Sequence, residues 1–509
     1  MASVAIAVDS PLTADAAAQV ARQGGNAVDV AVAAALAATV SETLMCSLGG
    51  AGFVTIRMPG KPAEVIDGGD MVPVHREFQA DDPVAWRKVS LHYGDGVETM
   101  VGAASVAVPG FLAAAGEAWN RHGRLPWKEV VAPALELASR KIPVSQTTWD
   151  WLNVCAELMF ELDEVARSVF FEAGQIIAAD HQLNIPGLGD TFAAIAEEGA
   201  DSLYRGSLAA PFANAISGLG GLITVDDLNT YRAEVRRPVS IQSGGFELAL
   251  NSPPAAGGAA TAFLIHALDS SSNVSSGGGV VSGLTARAQV DLLRLRDSEM
   301  FDGEFNDEKS RELLRLAGNG VNDHLRSPDT THISVATADG GVASVTLSMG
   351  YGAGIIVPGL GICCNNSLGE PEVNPRGYHC SKPGSRISSN MSPTVAWHPD
   401  GRCIAIGSPG ASRIPTAIAQ TWNRIVLDGM SFEDAVAAPR LHVQPDDDND
   451  FVCLHEPGID VSQFPADLKT MPFDELSRFF GGVKLAGADR SGELQAVADS
   501  RRQGAVRYI

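Results

Sequence analysis

The sequence feature that most constrains the fold is a change of pattern near residue 330. Before this point helical patterns dominate, and the first of them is stopped by Gly24 and Gly25. From Thr330 onward, short runs rich in β-branched residues alternate with turns such as residues 339–341. A helix-rich half followed by a strand-rich half predicts mixed α and β layers in one intertwined domain, which is an α+β fold.

The predicted elements follow this division. Helices are expected at residues 14–23, with Thr13 as the cap, and at residues 26–40, 109–122, 127–140, 190–198 and 255–268. Strands are expected at residues 53–57, 332–337, 342–348, 355–357, 394–398 and 403–406. Between the two groups, residues 270–283 predict a low-complexity surface loop, residues 284–316 a charged helical stretch, and residues 317–329 an accessible polar segment.

Charge and hydropathy narrow the classes of partner. The chain has 37 Lys and Arg against 60 Asp and Glu, and its net charge of -23 repels nucleic-acid backbones and anionic membranes. We therefore expect no nucleic-acid partner and no membrane partner. The first residues lack a basic segment, no apolar run reaches about 20 residues, and seven irregularly spaced cysteines fit reduced thiols. These features predict a cytoplasmic protein.

A candidate nucleophile lies where the polar segment meets the first predicted strand of the second half. A Thr hydroxyl is a weak nucleophile, but a Thr at a chain terminus carries its own base, an α-amine with a pKa of about 8. Thr330 gains such an amine only if the bond after Asp329 is cleaved, through attack of its hydroxyl on the Asp329 carbonyl and hydrolysis of the resulting ester. By itself the Thr-Thr-His pattern is typical of an ordinary strand.

A series of motifs, in order along nearly the whole chain, resembles the γ-glutamyltranspeptidase family. They lie at residues 11–40, 48–53, 108–110, 220–224, 253–258, 330–340, 365–366, 389–394, 407–413 and 438–442. The resemblance implies the four-layer αββα sandwich of N-terminal-nucleophile hydrolases. It also implies cleavage between Asp329 and Thr330, with a large subunit of residues 1–329 and a small subunit of residues 330–509 from one precursor.

The resemblance assigns catalytic roles around Thr330. Gly410 and Ala411 match a Gly-Gly pair whose backbone N–H groups hold the oxyanion, which Ala411 can do provided that it need not adopt a positive φ. Ser348 matches a Thr whose hydroxyl contacts the new amine.

Binding roles follow in the same way, with departures from the family pattern. Ser389 and Asn390 match a Ser-Ser pair that binds the substrate α-carboxylate, and Glu370 falls where an Asp binds the α-amine. Ser367 replaces a ligand-facing Gln, and Gly350 replaces an Asn. The Arg that clamps the carboxylate has no counterpart in strict register, because Phe78 falls there. Arg76 is nearby, and an exposed surface Arg is an equally good interpretation of it.

The resulting hypothesis is acyl transfer from a small-molecule γ-glutamyl or related amide, without a metal or another cofactor. One alternative is a sister amidohydrolase or acylase acting on another small carboxylate-bearing amide, which the altered contacts favour. The other is a non-catalytic binding protein that never cleaves itself. The connection from Glu370 to Arg386 is shorter than the lid of many family members and implies an open site. The sequence leaves open whether the processed heterodimer forms a homo-oligomer.

Overall fold

The structure is a computed structural model that describes residues 2–75, 77–91, 96–269, 278–296, 306–315, 330–374, 376–446, 450–489 and 491–509. The helices are α1 (Pro11–Arg22), α2 (Ala27–Ser41), α3 (Phe111–His122), α4 (Trp127–Ala138), α5 (Gln146–Met159), α6 (Glu164–Phe170), α7 (Leu188–Glu198), α8 (Ala209–Gly218), α9 (Val225–Thr230), α10 (Gly257–Asp269), α11 (Gly278–Arg296), α12 (Asp307–Arg315), α13 (Arg413–Val426) and α14 (Phe432–Ala437).

The strands of the first half are β1 (Val4–Val8), β2 (Ala51–Arg57), β3 (Glu64–Gly68), β4 (Arg87–Leu91), β5 (Val97–Val101), β6 (Ile142–Pro143), β7 (Phe171–Glu172), β8 (Gln175–Ile176), β9 (Gln182–Leu183), β10 (Glu234–Arg236), β11 (Val239–Ser243) and β12 (Phe246–Leu250). Those of the second half are β13 (Thr331–Thr337), β14 (Val342–Ser348), β15 (Thr394–Trp397), β16 (Cys403–Gly407), β17 (Leu441–Pro445), β18 (Phe451–His455), β19 (Lys469–Pro472), β20 (Lys484–Ala488), β21 (Leu494–Ala498) and β22 (Ala505–Tyr508).

Two sheets form the centre of the molecule. One has seven strands in the order β10-β3-β2-β14-β13-β1-β22, and the other has six in the order β11-β12-β15-β16-β20-β21. The sheets face each other through β1, β13 and β14 on one side and β16, β20 and β21 on the other. Small side chains fill this interface, among them Ala7, Ala336, Ala405 and Ala486, so the two sheets approach closely.

Helices cover the outer faces of both sheets. Helices α1, α2 and α3 contact the seven-stranded sheet, while α10, α13 and α14 contact the six-stranded one. Every residue of α2 is buried, because α1, α3 and α4 pack against the sides that the sheet leaves uncovered. The predicted α+β class is confirmed.

The first residues of α1 and α2 test the helix starts expected from the local sequence. The second helix was expected to start at Asn26, and this residue caps α2, with its side chain accepting from the backbone N–H groups of Val28 and Asp29. The predicted cap at Thr13 is wrong, because α1 begins at Pro11, a residue preorganised for the first helical turn. The Thr13 hydroxyl is instead buried and bonds Glu42 Oε1 at 2.6 Å.

Several other expectations need correction. Residues 355–357 form no strand and make only a single bridge, between Ile356 and Cys363. Residues 278–283, expected as loop, belong to α11, while residues 270–277 and 317–329 lie outside the described part of the chain. Helix α11 and helix α12 divide the predicted charged stretch. In the described ranges, no helix combines the length and apolar character needed to cross a membrane.

Candidate active site

Thr330 lies directly before β13, in the middle of the seven-stranded sheet, and is 4% exposed. In the pairing of β13 with β14, Thr331 is opposite Leu347. One residue earlier, Thr330 therefore comes opposite Ser348, the residue predicted to contact its amine. The sheet places the candidate nucleophile at a strand end, where a side chain can face a cavity.

A cavity partly open to solvent, with about 510 Å³ of space between atoms, surrounds Thr330. Most of the predicted site residues line it together, namely Thr330, Ser348, Gly350, Ser367, Glu370, Ser389, Asn390 and Ala411. The remaining lining residues are Ala51, Phe53, Gly69, Asp70, Val373, Ile387, Ser388, Met391 and Ile414. Residues far apart in sequence thus meet at one concave site, as an active site requires.

A buried polar cluster holds the strand that begins beside Thr330. The Thr331 hydroxyl bonds Asp9 Oδ2 at 3.0 Å and also bonds the carboxyl group of Glu42. Lys484 Nζ bonds Asp9 from the facing sheet. Burial raises the pKa of Glu42 to about 7, and the nearby Asp9 adds to this effect. Sequence reasoning missed the cluster, although Glu42 directly after an apolar helix was a signal.

His332 is the histidine nearest to Thr330 in sequence, and it is fully buried. Its Nδ1 lies 2.8 Å from Thr346 Oγ1 and its Nε2 lies 3.0 Å from Ser334 Oγ. Burial lowers the pKa of His332 well below its usual value, and the positive charge of Lys484 adds to the effect. His332 is therefore a neutral structural residue between the sheets.

The predicted oxyanion loop connects β16 to α13. Gly410 and Ala411 both have positive φ values, 117° and 60° respectively. The condition that Ala411 avoids a positive φ is thus not met, and its backbone is held in a conformation that costs an L-residue about 1 to 2 kcal/mol. Ala411 lines the cavity, whereas Gly410 is not among the lining residues. The loop is supported by the segment that contains Gly481, because Gly410 packs against the backbone of that residue.

The segment with Ser389 and Asn390 packs against the start of α10. The backbone N–H of Ala256 donates to the Ser389 carbonyl oxygen at 2.9 Å, and that of Gly257 donates at 3.0 Å. A Cβ at Gly257 would collide with the Asn390 carbonyl group. Glycine is therefore required at position 257 for this close approach of two backbones.

Gly350 and Glu370, two of the predicted site residues, are adjacent in space. Gly350 has a φ of 64°, and a Cβ placed on it would lie 2.5 Å from Glu370 Oε2 and 2.6 Å from Asn366 Oδ1. The absence of a side chain at position 350 leaves the room that the carboxylate of Glu370 occupies. Glycine at position 350 and the carboxylate of Glu370 thus fit each other in space.

Asp70 is a cavity residue that the sequence analysis did not single out. It follows β3, is 3% exposed and lines the cavity. The Ser367 hydroxyl donates to Asp70 Oδ2 at 2.6 Å, so Ser367 supports a carboxyl group besides facing the cavity. In the sequence, the position of Asp70 directly after Gly68 and Gly69, at the end of a buried strand, was a signal that it could belong to the site.

Two predicted residues, Arg76 and Asp329, lie outside the described part of the chain. Phe78, which falls at the expected register of the Arg, packs against Trp86 and His379 with ring centroids 5.5 and 4.8 Å away. It is not among the residues that line the cavity.

The short connection after Glu370 is anchored to the site. Asn374 donates to the carbonyl oxygens of Ser367 and Glu370, both at 2.8 Å. The Tyr351 hydroxyl bonds Glu372 Oε1 at 2.6 Å. This connection therefore forms a fixed wall of the cavity at Val373.

Comparison with known proteins adds independent findings. A family model described as gamma-glutamyltranspeptidase matches residues 13–509. Glutathione hydrolase 2 of Arabidopsis thaliana is 28% identical over 482 residues, covering 86% of this chain and 80% of the relative. The acylase ACY 1 proenzyme of a Pseudomonas species is 29% identical over 461 residues, covering 86% of this chain and 82% of the relative.

A solved structure shares the fold. The crystal structure of cephalosporin acylase from Bacillus halodurans superposes with a TM-score of 0.78 at 23% identity, covering 99% of this chain and 96% of that chain. At this identity the likeness concerns the fold.

Proposed function

The chain belongs to the gamma-glutamyltranspeptidase family and is an enzyme of the N-terminal-nucleophile class, and from this premise we propose that it cleaves γ-glutamyl amides through Thr330. The observation that carries the proposal is the position of Thr330 at the start of a central strand, in one cavity with Ser348, Glu370 and Ala411. We also infer the αββα layering of this class, which the two facing sheets and their outer helices support.

Self-processing comes first in the proposed sequence. The Thr330 hydroxyl attacks the Asp329 carbonyl carbon, the peptide C–N bond breaks, and the acyl group moves from nitrogen to oxygen. Water hydrolyses this ester and leaves the Asp329 carboxylate and the free amine of Thr330. Relatives described as proenzymes, the Pseudomonas acylase and a glutathione hydrolase of Escherichia coli, support this step.

Catalysis then uses the new amine. The amine accepts the proton of the Thr330 hydroxyl as the oxygen attacks the substrate carbonyl, and backbone N–H groups of Gly410 and Ala411 stabilise the oxyanion. The positive φ of Ala411 costs conformational energy but leaves its backbone N–H in place as a donor. Collapse releases the amine of the substrate, which takes up the proton. Water or an acceptor amine then attacks the acyl ester and frees Thr330. In this scheme Ser348 holds the nucleophile's amine, and Ser389 and Asn390 bind the acyl carboxylate.

The alternative of an acylase for another carboxylate-bearing amide is favoured by the altered contacts at four positions, namely Glu370, Ser367, Gly350 and Asn390. Two chromogenic substrates separate it from the main proposal. γ-Glutamyl-p-nitroanilide carries an α-amino group, and glutaryl-p-nitroanilide is identical without it. We expect faster hydrolysis of the γ-glutamyl compound, because the carboxylate of Glu370 faces the cavity and favours a cation.

The nucleophile is tested by Thr330→Ala and Thr330→Ser. We expect the purified protein to migrate on a denaturing gel as chains of residues 1–329 and 330–509, and Thr330→Ala to remain whole and inactive. Thr330→Ser keeps a hydroxyl and should retain measurable cleavage and turnover. A wild-type protein that is active as one unbroken chain would contradict the proposal, and one that is unbroken and inactive would favour a binding protein.

A further inference from the structure

A second cavity lies at the C-terminal ends of α10 and α13, beside α11, and holds about 590 Å³ of space between atoms. In the described ranges, no residue lines both this cavity and the one around Thr330. Helix α13 begins just after the loop with Ala411, and from Arg413 to Asn423 it rises about 15 Å. The second cavity is therefore a separate site at the far end of this helix.

Aliphatic side chains form much of the wall of the second cavity. They belong to Leu268, Leu284, Leu427, Leu441 and Ile459. Leu427 is 50% exposed, so this apolar wall reaches the solvent. Because burial of aliphatic surface is favourable, the wall favours a ligand with an apolar body.

Asn423 brings an unpaired amide to this cavity. The residue is 4% exposed, and its Oδ1 and Nδ2 are both shielded from solvent without a hydrogen-bond partner among the residues that the structure describes. The neighbouring Gln420 differs, because its amide donates to the carbonyl oxygens of Thr416 and Leu441 and accepts from the Leu441 N–H. A buried amide without hydrogen bonds destabilises the fold, so its presence at a cavity indicates a binding site.

The ligand group must match both atoms of the Asn423 amide. Oδ1 needs a donor and Nδ2 needs an acceptor, and the two atoms belong to one planar group. A primary carboxamide carries an N–H and a carbonyl oxygen on the same side, so it can form two parallel hydrogen bonds with this group. A carboxylate lacks the donor, and a secondary amide in the usual trans form directs its N–H and C=O in opposite directions.

From this geometry we propose that the second cavity binds a small molecule with an aliphatic chain and a primary carboxamide, which pairs with Asn423. The positive charge of Arg424 does not make the cavity a carboxylate site, since its guanidinium group bonds the carbonyl oxygens of Ala438 and Pro439. The inference goes beyond the proposed reaction, because the binding needs neither Thr330 nor the residues around it.

The test compares three probes that share one aliphatic chain, namely hexanamide, N-methylhexanamide and hexanoate. Ligand-detected NMR titration of the purified enzyme measures their binding. We expect a Kd of about 1 mM or below for hexanamide. The other two should bind about tenfold more weakly or worse, because each leaves an atom of the buried amide unpaired.

Asn423→Leu removes both amide atoms and keeps a side chain of similar size. It should weaken the binding of hexanamide about tenfold or more and bring the three Kd values within about threefold of one another. Asn390→Ala is the matched control, because it removes an amide side chain from the cavity around Thr330. It should leave the Kd of hexanamide within about threefold of the wild-type value.

Asn423→Asp decides the question if Asn423→Leu fails to fold. It keeps the shape of the side chain but replaces the donor by an acceptor, so hexanamide should again bind about tenfold more weakly.

Three results would overturn the inference. No binding of hexanamide to the wild-type enzyme would show that the cavity is not a site for this class of ligand. Equal Kd values for the three probes would show that water, and not a carboxamide, satisfies Asn423. A loss of affinity in Asn390→Ala, without a loss in the Asn423 variants, would place the probe in the cavity around Thr330. The proposed function is judged separately, by the Thr330 variants.

Discussion

Glu42 shows how one buried residue can make the stability of the fold depend on pH. It follows α2, is fully enclosed, and bonds Thr13 and Thr331. Its pKa of about 7 in the folded protein exceeds the value of about 4.3 expected for an unfolded chain. Between these values the unfolded carboxyl group loses its proton and the folded one keeps it, so the free energy of unfolding falls as pH rises.

We therefore predict that Glu42→Gln removes a stability slope between about pH 4.5 and pH 7. The slope from this group approaches about 1.4 kcal/mol per pH unit, because one proton is bound by the folded state and released on unfolding. Urea unfolding of the wild type and the variant across this range measures the difference between their slopes.

Glu129→Gln serves as the control, since Glu129 is exposed in the first turn of α4 and should leave the slope unchanged. If wild type and Glu42→Gln lose stability in parallel with rising pH, Glu42 does not hold its proton in the folded state.

Residue types in the site could be predicted from the sequence, but their conformations could not. Thr330, Ser348, Glu370 and Ala411 meet in one cavity as expected. The φ of Ala411 entered the sequence analysis only as a condition, because the backbone conformation of a loop residue other than Gly depends on its surroundings. The burial of Asp70 beside the cavity depends on segments distant in sequence, so its position after two glycines was only a weak signal.

At the scale of elements, α10 determines where one wall of the site lies. Its first residue, Gly257, donates a hydrogen bond to the Ser389 carbonyl oxygen and leaves no room for a Cβ beside Asn390. We predict that Gly257→Ala displaces this wall, lowering stability by about 1 to 3 kcal/mol. The shift should also lower kcat/KM about tenfold or more, because substrate groups held by Ser389 and Asn390 lose their alignment.

Gly218→Ala provides the comparison for this variant. Gly218 ends α8, and a Cβ on it would meet nothing within 4 Å. Its substitution should leave kcat/KM unchanged and raise stability by at most about 1 kcal/mol. Thermal unfolding and steady-state kinetics on both variants measure the contrast, and equal kinetic effects would show that α10 does not position the wall.

The hairpin of β13 and β14 was predicted almost to the residue, whereas residues 355–357 were assigned wrongly. In the hairpin, apolar and β-branched residues flank a turn in which Gly340 has a φ of 89°. The local sequence is therefore sufficient to predict both strands and the turn between them. Residues 355–357 are also apolar and buried, but they have no partner strand beyond the bridge of Ile356 to Cys363. Apolar character predicted their burial and could not predict their pairing.

At the scale of the whole molecule, the two proposed chains share both sheets. Strands from before and after Thr330 pair at four places, β2 with β14, β13 with β1, β1 with β22, and β12 with β15. The sequence indicated an intertwined domain through its change of pattern, but the strand order depends on long-range pairing that no local pattern encodes. With this topology, cleavage cannot release either chain without breaking the central sheet.

This interleaving leads to a prediction about unfolding. Processed protein must dissociate when it unfolds, so its Tm should rise with protein concentration, whereas the Tm of uncut Thr330→Ala should not. A tenfold increase adds about 1.4 kcal/mol of apparent stability. An unfolding entropy of about 1.1 kcal/mol/K for 509 residues converts this to about 1.3 °C. Scanning calorimetry over a hundredfold range should thus show a shift of about 3 °C in the processed protein alone. The same Tm at all concentrations would show that the chains are not held together only by the folded sheets.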